Sequence, residues 1–175
     1  MLFAFDEYDG LVIKNSMYWW NYDTKTKHLT SYGAESIWEI AETLERQFWQ
    51  DLWHRFIWLP GSVAGAVYGN AWCFWLETEN NFVSCELLNL KNGVVEVIDK
   101  KDMNFSYRNS ILKQKKSYFL ISAQFDLSKK IEKYHSDVDN IDFRENKQPK
   151  GNCCGSFFKN PSKEQSAGYL IEQVG

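Results

Sequence analysis

The sequence predicts an α+β fold, and three observations carry that expectation. Residues 34–48 form an amphipathic helical run, Asn92-Gly93 sits between two β-rich runs, and residues 118–125 form another β-rich run. The 175 residues suffice for one sizeable core, or a domain with a small second one. Hydrophobic residues at 44%, charged residues at 25% and a net charge of −3 exclude a disordered or collagen-like chain. They also exclude a nucleic-acid partner held by bulk electrostatics, which would need a basic surplus.

Along the chain, Gly10–Lys14 reads as a short strand and Lys27–Tyr32 as another, rich in β-formers. In the helical run, Ile37, Ile40, Ala41, Leu44 and Phe48 recur at three- and four-residue spacings with acids early. The segment from Pro60 to Tyr68 predicts a short second helix with proline in its first turn. Phe82–Leu90 and Val94–Ile98 flank Asn92-Gly93, the strongest short-range hairpin signal. Tyr118–Phe125 is a further strand, and the charged stretch Leu127–Asn146 predicts a solvated helix with a linker near 145–150.

Several chemistries lack their signatures. Cys73, Cys85, Cys153 and Cys154 have no paired C-x-x-C spacing and read as free thiols of a reducing cytosol. His28, His54 and His135 sit in no ligand frame, so no metal site is expected. The N-terminus lacks the basic region of a signal peptide. Phe56 to Leu76 is uncharged over 21 residues, long enough to span a bilayer. Pro60-Gly61, Ser62, Tyr68 and Asn70 make it broken and polar instead, so no membrane partner is expected.

Three patterns carry chemistry. The first is Leu59-Pro-Gly-Ser-Val-Ala-Gly-Ala-Val-Tyr-Gly-Asn-Ala71, whose glycines at 61, 65 and 69 fit no Walker or Rossmann fingerprint. They offer either backbone access to a cofactor or tight packing of a small-residue helix face. The second is Phe105-Ser-Tyr-Arg-Asn-Ser110. The third is Gly155-Ser-Phe-Phe-Lys-Asn-Pro161, followed by Ser166-Ala-Gly-Tyr-Leu-Ile-Glu172. Alone, Arg108 reads as a surface arginine in a β-turn and Ser156 as a turn or helix cap. Together, an arginine for an oxyanion, a hydroxyl for a proton and Lys159-Asn160 for phosphate form a site for an anionic substrate.

In order and spacing these patterns resemble the UDP-N-acetylenolpyruvoylglucosamine reductase (UDP-N-acetylmuramate dehydrogenase) family. Its flavin domain carries I/L-P-G-S-x-G-G-A…N-A-G, and its substrate domain F-x-Y-R-x-S and G-S-x-F-K-N-P…S-A-G-x-L-I-E. The resemblance also covers Asp9–Asn15 and Arg144–Pro149. It implies the second part of an FAD-binding domain of the vanillyl-alcohol-oxidase-like (PCMH) type over 1–127. The beginning of an α+β substrate-binding domain then follows over 128–175.

The implied reaction is cytoplasmic and serves peptidoglycan precursor synthesis. NADPH reduces FAD, the flavin passes hydride to C3 of the enolpyruvyl ether of UDP-N-acetyl-enolpyruvoylglucosamine, and a proton reaches C2. The implied catalytic residues are Ser156, the proton donor, and Arg108, which supports the enolate and the substrate carboxylate. Leu59, Pro60, Gly61, Ser62, Gly65, Asn70 and Tyr107 would contact FAD, and Lys150, Lys159 and Asn160 the nucleotide sugar. The chain is expected to be a monomer. It is also expected to be a fragment, lacking the first flavin subdomain and a C-terminal carboxylate, that alone neither holds FAD nor turns over.

Tryptophan departs from the family pattern. All eight, at 19, 20, 38, 49, 53, 58, 72 and 75, lie before residue 76. Trp58, Trp72 and Trp75 stand where the family has glycine. Trp49 and Trp53 fall where C-cap glycines belong, and Trp19-Trp20-Asn21 occupies an expected hairpin turn. Only Trp38, in mid-helix, resists that reading. The expectation is a gene whose UGA codons are read as glycine in its own lineage. The competing expectation is an aromatic core or stacking platform, and with it a non-enzymatic carbohydrate- or nucleotide-binding module.

Overall fold

A computed structural model describes residues 9–10, 12–129, 131, 140–147, 156, 158–162 and 165–174. Its centre is a five-stranded antiparallel sheet whose strands lie in the spatial order 20–23, 28–32, 118–126, 82–89 and 95–99. β1 (Trp20–Asp23) and β2 (His28–Tyr32) form the first hairpin. Asp23 closes its turn by accepting the amides of Lys25 and Thr26. Those two donors hold the Asp23 carboxyl below the usual carboxylate range. Trp20 and Asn21 therefore lie within β1, and the expected turn at 19–21 falls at 24–27 instead. Likewise 12–18 form no regular strand where Gly10–Lys14 predicted one; Val12–Asn15 line a cavity.

The helical run forms α1 (Ile37–Phe48), capped by Ser36, whose hydroxyl accepts the Glu39 amide. Its apolar stripe of Ile37, Ile40, Ala41 and Leu44 is buried. The helix ends at Trp49 in the left-handed region, φ 54°. Trp53 is 1% exposed and lies edge-on to Phe56 and Phe125, with ring centroids 5.5 and 4.8 Å away. Its φ of −98° makes no demand for glycine. Positive φ occurs at only three tryptophans, 49, 58 and 75, so the backbone supports the glycine reading there and not at all the positions expected.

The second helix, α2 (Val63–Gly69), starts after Pro60 rather than on it, because the Ser62 hydroxyl caps it by accepting the Gly65 amide. Gly33 fixes α2 onto the sheet: a β-carbon there would stand 2.8 Å from the Leu120 carbonyl and 3.0 Å from Ala64 Cβ. The contact is sealed by Ala64 N–H donating to Gly33 O and Val63 N–H to Glu35 O. A small ribbon, β3 (Trp72–Cys73) and β4 (Leu76–Glu77), follows.

The Asn92-Gly93 hairpin forms as expected between β5 (Phe82–Asn89) and β6 (Val95–Asp99), with Gly93 at φ 72°. A short α3 (Ile111–Gln114) leads into the central strand β7 (Tyr118–Asp126). Cys73 and Cys85 are buried. Burial, helped by Glu86, pushes the Cys85 thiol up to about 12. Of the expected helix at 127–146, Leu127 is buried at the end of the sheet and 127–129 are not helical, α4 covers Asn140–Lys147, and 130 and 132–139 lie outside the described residues. A last helix, α5 (Ala167–Gln173), is capped by Ser166. No helix among the described residues is long and apolar enough to cross a membrane.

Candidate functional site

The first two sequence patterns are bolted together at the C-terminal end of α2. Asn70 ends that helix in the left-handed region, and its side chain is fully buried. Its amide nitrogen donates to Glu77 Oε2 at 2.8 Å, Glu79 Oε1 at 3.1 Å and the Ser106 carbonyl at 3.2 Å. Its oxygen accepts the Glu79 amide at 3.0 Å. The side chain expected to contact a cofactor is thus engaged inside the protein, where it holds residues 105–110 against α2. Ser110 adds a second bolt, its hydroxyl donating to the Tyr68 carbonyl at 2.8 Å.

Between the bolts, Ser106 and Asn109 exchange both backbone hydrogen bonds, at 3.2 and 3.0 Å. That closes a four-residue turn with Tyr107 and Arg108 at its corners. Arg108 has φ 58°, and its Nη1 lies 3.7 Å from where a Gly69 β-carbon would stand. The third pattern reaches the same turn. The Asn160 amide donates to the Tyr107 hydroxyl across a long 3.4 Å, while Asn160 Oδ1 accepts the Ala167 amide at 3.0 Å.

Lys113, on α3, donates to the Arg108 carbonyl at 2.5 Å and stands 5.5 Å from the centre of the Tyr68 ring. Burial, then the positive charges of Arg108 and Lys159, holds its ammonium below the ordinary lysine value. Three cations therefore share one locality, and among the described residues none of them forms an ion pair. Such an arrangement is chemically suited to an anion.

Beside it, on the α2 side, lies a cavity of about 520 Å³ with mostly apolar walls from Val12, Ile13, Gly33, Ala34, Tyr68 and Leu120. Ser62 and Asn15 supply polar groups. Asn15 Oδ1 accepts the Met17 amide, which leaves the buried Nδ2 without a partner among the described residues. An unpaired buried donor in an apolar wall suits a ligand carrying an acceptor.

Of the expected site residues, Tyr107, Arg108, Lys159 and Asn160 come together, and Ser62 faces the cavity. Leu59 packs partly buried against the core, while Pro60, Gly61 and Gly65 are exposed near the start of α2. Ser156 is exposed, with no hydrogen bond to Arg108 among the described residues. Lys150, Cys153 and Cys154 lie outside the described residues. Asn15, Tyr68 and Lys113 were missed. No local signal marks them, since their roles arise from packing between distant segments. Trp72 and Trp75 meet edge-to-face at 5.8 Å, which is no flat stacking platform.

Fold and site together define an α+β unit with a cluster of cations beside a largely apolar cavity. Over 169 residues, 95% of this chain and 55% of the relative, it is 31% identical to the UDP-N-acetylenolpyruvoylglucosamine reductase of Bacillus subtilis. It is 38% identical to the reductase of the same name from Fervidobacterium nodosum over 120 residues, 67% of this chain and 38% of the relative. The crystal structure of UDP-N-acetylenolpyruvylglucosamine reductase from Thermus caldophilus shares its fold. There the TM-score is 0.69 and the identity 24%, covering 89% of this chain and 55% of that one. No family model matches the chain. The chain belongs to the UDP-N-acetylenolpyruvoylglucosamine reductase family, and it spans about half the length of the Bacillus relative.

Proposed function

We propose that this chain supplies the cofactor cavity and the anion-binding turn of an NADPH- and FAD-dependent reductase that converts UDP-N-acetyl-enolpyruvoylglucosamine to UDP-N-acetylmuramate in peptidoglycan precursor synthesis. The observation that carries the reading is the convergence of three sequence patterns on one turn, with Arg108, Lys113 and Lys159 in one electrostatic neighbourhood. That cluster matches a substrate bearing a carboxylate and a diphosphate.

The apolar cavity, with the free amide donor of Asn15, fits a flat ring system edged with carbonyl acceptors. Asn15, Ser62 and Tyr68 would hold a flavin there, within a PCMH-type FAD domain over 1–127 that meets a substrate domain at 128. The sheet supports that boundary by ending at Asp126. Bound FAD supplies hydride transfer. Arg108 holds the carboxylate and favours charge building on it, and Lys159 and Asn160 hold the nucleotide end. Ser156 is the proton donor to C2, a role that rests on its sequence pattern. A hydroxyl can serve because the carbanion it protonates is strongly basic.

Titrating UDP-N-acetyl-enolpyruvoylglucosamine into the chain and following backbone amide shifts tests the reading. Shifts are expected at Tyr107, Arg108, Lys159 and Asn160, and their loss is expected in Arg108→Met. No response at these four amides in the unmodified chain rejects the site.

A further inference from the structure

We propose that Lys113 is a positioning residue of this site: from α3 it clamps the Arg108 carbonyl and so holds the left-handed turn that presents the Arg108 guanidinium. The proposal deepens the functional reading above and rests on Arg108 being the arginine that meets the anion.

Three observations carry it. First, an arginine at φ 58° occupies a backbone region that crowds any β-carbon against the next carbonyl, so something must keep it there. The Ser106–Asn109 bonds fix the two ends of the turn but leave the Arg108 carbonyl to find another donor. Lys113 Nζ meets that carbonyl at 2.5 Å.

Second, the clamp is itself held. The ammonium stands 5.5 Å from the Tyr68 ring centre, while the Tyr68 carbonyl accepts Ser110 Oγ, so the turn, α2 and Lys113 brace one another. Third, Tyr68 lines the cavity, so Lys113 sits at the seam between the apolar cavity and the cation cluster. Loss of the clamp frees the turn to leave the left-handed region and carries the guanidinium away from Gly69. An anion bound at the cluster offsets the repulsion among the three cations, which tightens the arrangement and raises the affinity of the ammonium for its proton.

The test uses the whole chain, Lys113→Met and Lys113→Arg, with UDP-N-acetyl-enolpyruvoylglucosamine, whose carboxylate Arg108 would hold, as the probe. Amide shifts of Leu29 and Leu87 report that the core is intact. In the absence of the probe, Lys113→Met is expected to change the HN–Hα coupling of Arg108 and increase its backbone motion. With the probe it is expected to weaken binding by roughly tenfold, as loss of a charge-assisted hydrogen bond would. Lys113→Arg is expected to restore both in part.

An unchanged Arg108 coupling in Lys113→Met overturns the proposal, whatever happens to affinity; a fall in affinity alone would make Lys113 a direct ligand instead. A changed coupling with undiminished binding of the probe also overturns it. If the unmodified chain does not bind the probe, the functional reading of the site fails, and the coupling still decides whether Lys113 holds the turn. If Lys113→Met disturbs Leu29 or Leu87, Lys113→Gln is measured in its place by the same criteria.

Discussion

Asn70 and Arg108 share the left-handed backbone region with Trp49, Trp58 and Trp75, yet the two groups occupy it for different reasons. Asn70 is a residue type that tolerates the conformation, and its four side-chain hydrogen bonds use it to join two loops. Arg108 is held by a closed turn and by Lys113. Trp49 and Trp75 have no such side-chain hydrogen bonds among the described residues. Trp49 is 90% exposed and Trp75 61%, so their indoles gain little burial to offset the crowding of a β-carbon at positive φ. Trp58 is half-buried against the core, with φ 62°. Strain that is held by hydrogen bonds marks a site. Strain on an exposed bulky residue marks a position that suits glycine.

Trp53 provides the sharpest contrast. Its indole is core, so Trp53→Ala is expected to cost about 3–5 kcal/mol of stability in denaturant unfolding. A loss below about 1 kcal/mol would place it with the strained group instead. Next in size, Asn70→Ala is expected to cost about 1–3 kcal/mol by leaving buried polar partners unmet. Asn70→Gly should recover little of that, although it relieves the backbone. If Asn70→Gly proved as stable as the parent, the bonds would not be what justifies the left-handed residue.

Trp49→Gly should move the other way and raise stability by about 1 kcal/mol, the order of the left-handed penalty for a residue with a β-carbon. Trp75→Gly should gain similarly and Trp58→Gly less, because it gives up packing. A fall in thermal stability for Trp49→Gly would remove the distinction between the groups. Intact mass of the protein purified from its own organism tests the UGA expectation directly: glycine is expected at these three positions, and tryptophan at all of them ends that reading. The smallest effect on stability is expected from Arg108→Gly, within about 1 kcal/mol of the parent. It should nonetheless abolish anion binding by the turn, since the strain there serves the guanidinium.

The helix at 37–48 and the β5–β6 hairpin were legible because their signals are local: a stripe at helical spacing, and Asn-Gly between β-rich runs. Gly10–Lys14 was misread as a strand because Val12 and Ile13 line a cavity rather than a neighbouring strand. The start of α2 was displaced because a serine cap outcompetes a proline two residues earlier. At the site, the residue types of the three patterns pointed to Arg108, Lys159 and Asn160 as anion ligands. Lys113 and Asn15 were invisible, since an ammonium meeting a carbonyl five residues back and an amide left unpaired in a wall are facts of tertiary structure. Asn70 shows the converse, a residue whose pattern suggested ligand contact and whose burial gives it a structural task.

The strand order has a kinetic consequence. Each outer hairpin, β1–β2 and β5–β6, closes over a short loop and can form early, but the two do not pair with each other. The sheet exists only when β7 inserts between them, pairing His28 with Asp126 on one side and Cys85 with Ala123 on the other. That step closes a loop of nearly the whole sheet and should govern the folding rate. Because the Arg108 turn immediately precedes α3 and β7, it is fixed in the same late event, and a chain stalled before it would expose two unjoined hairpin edges to aggregation.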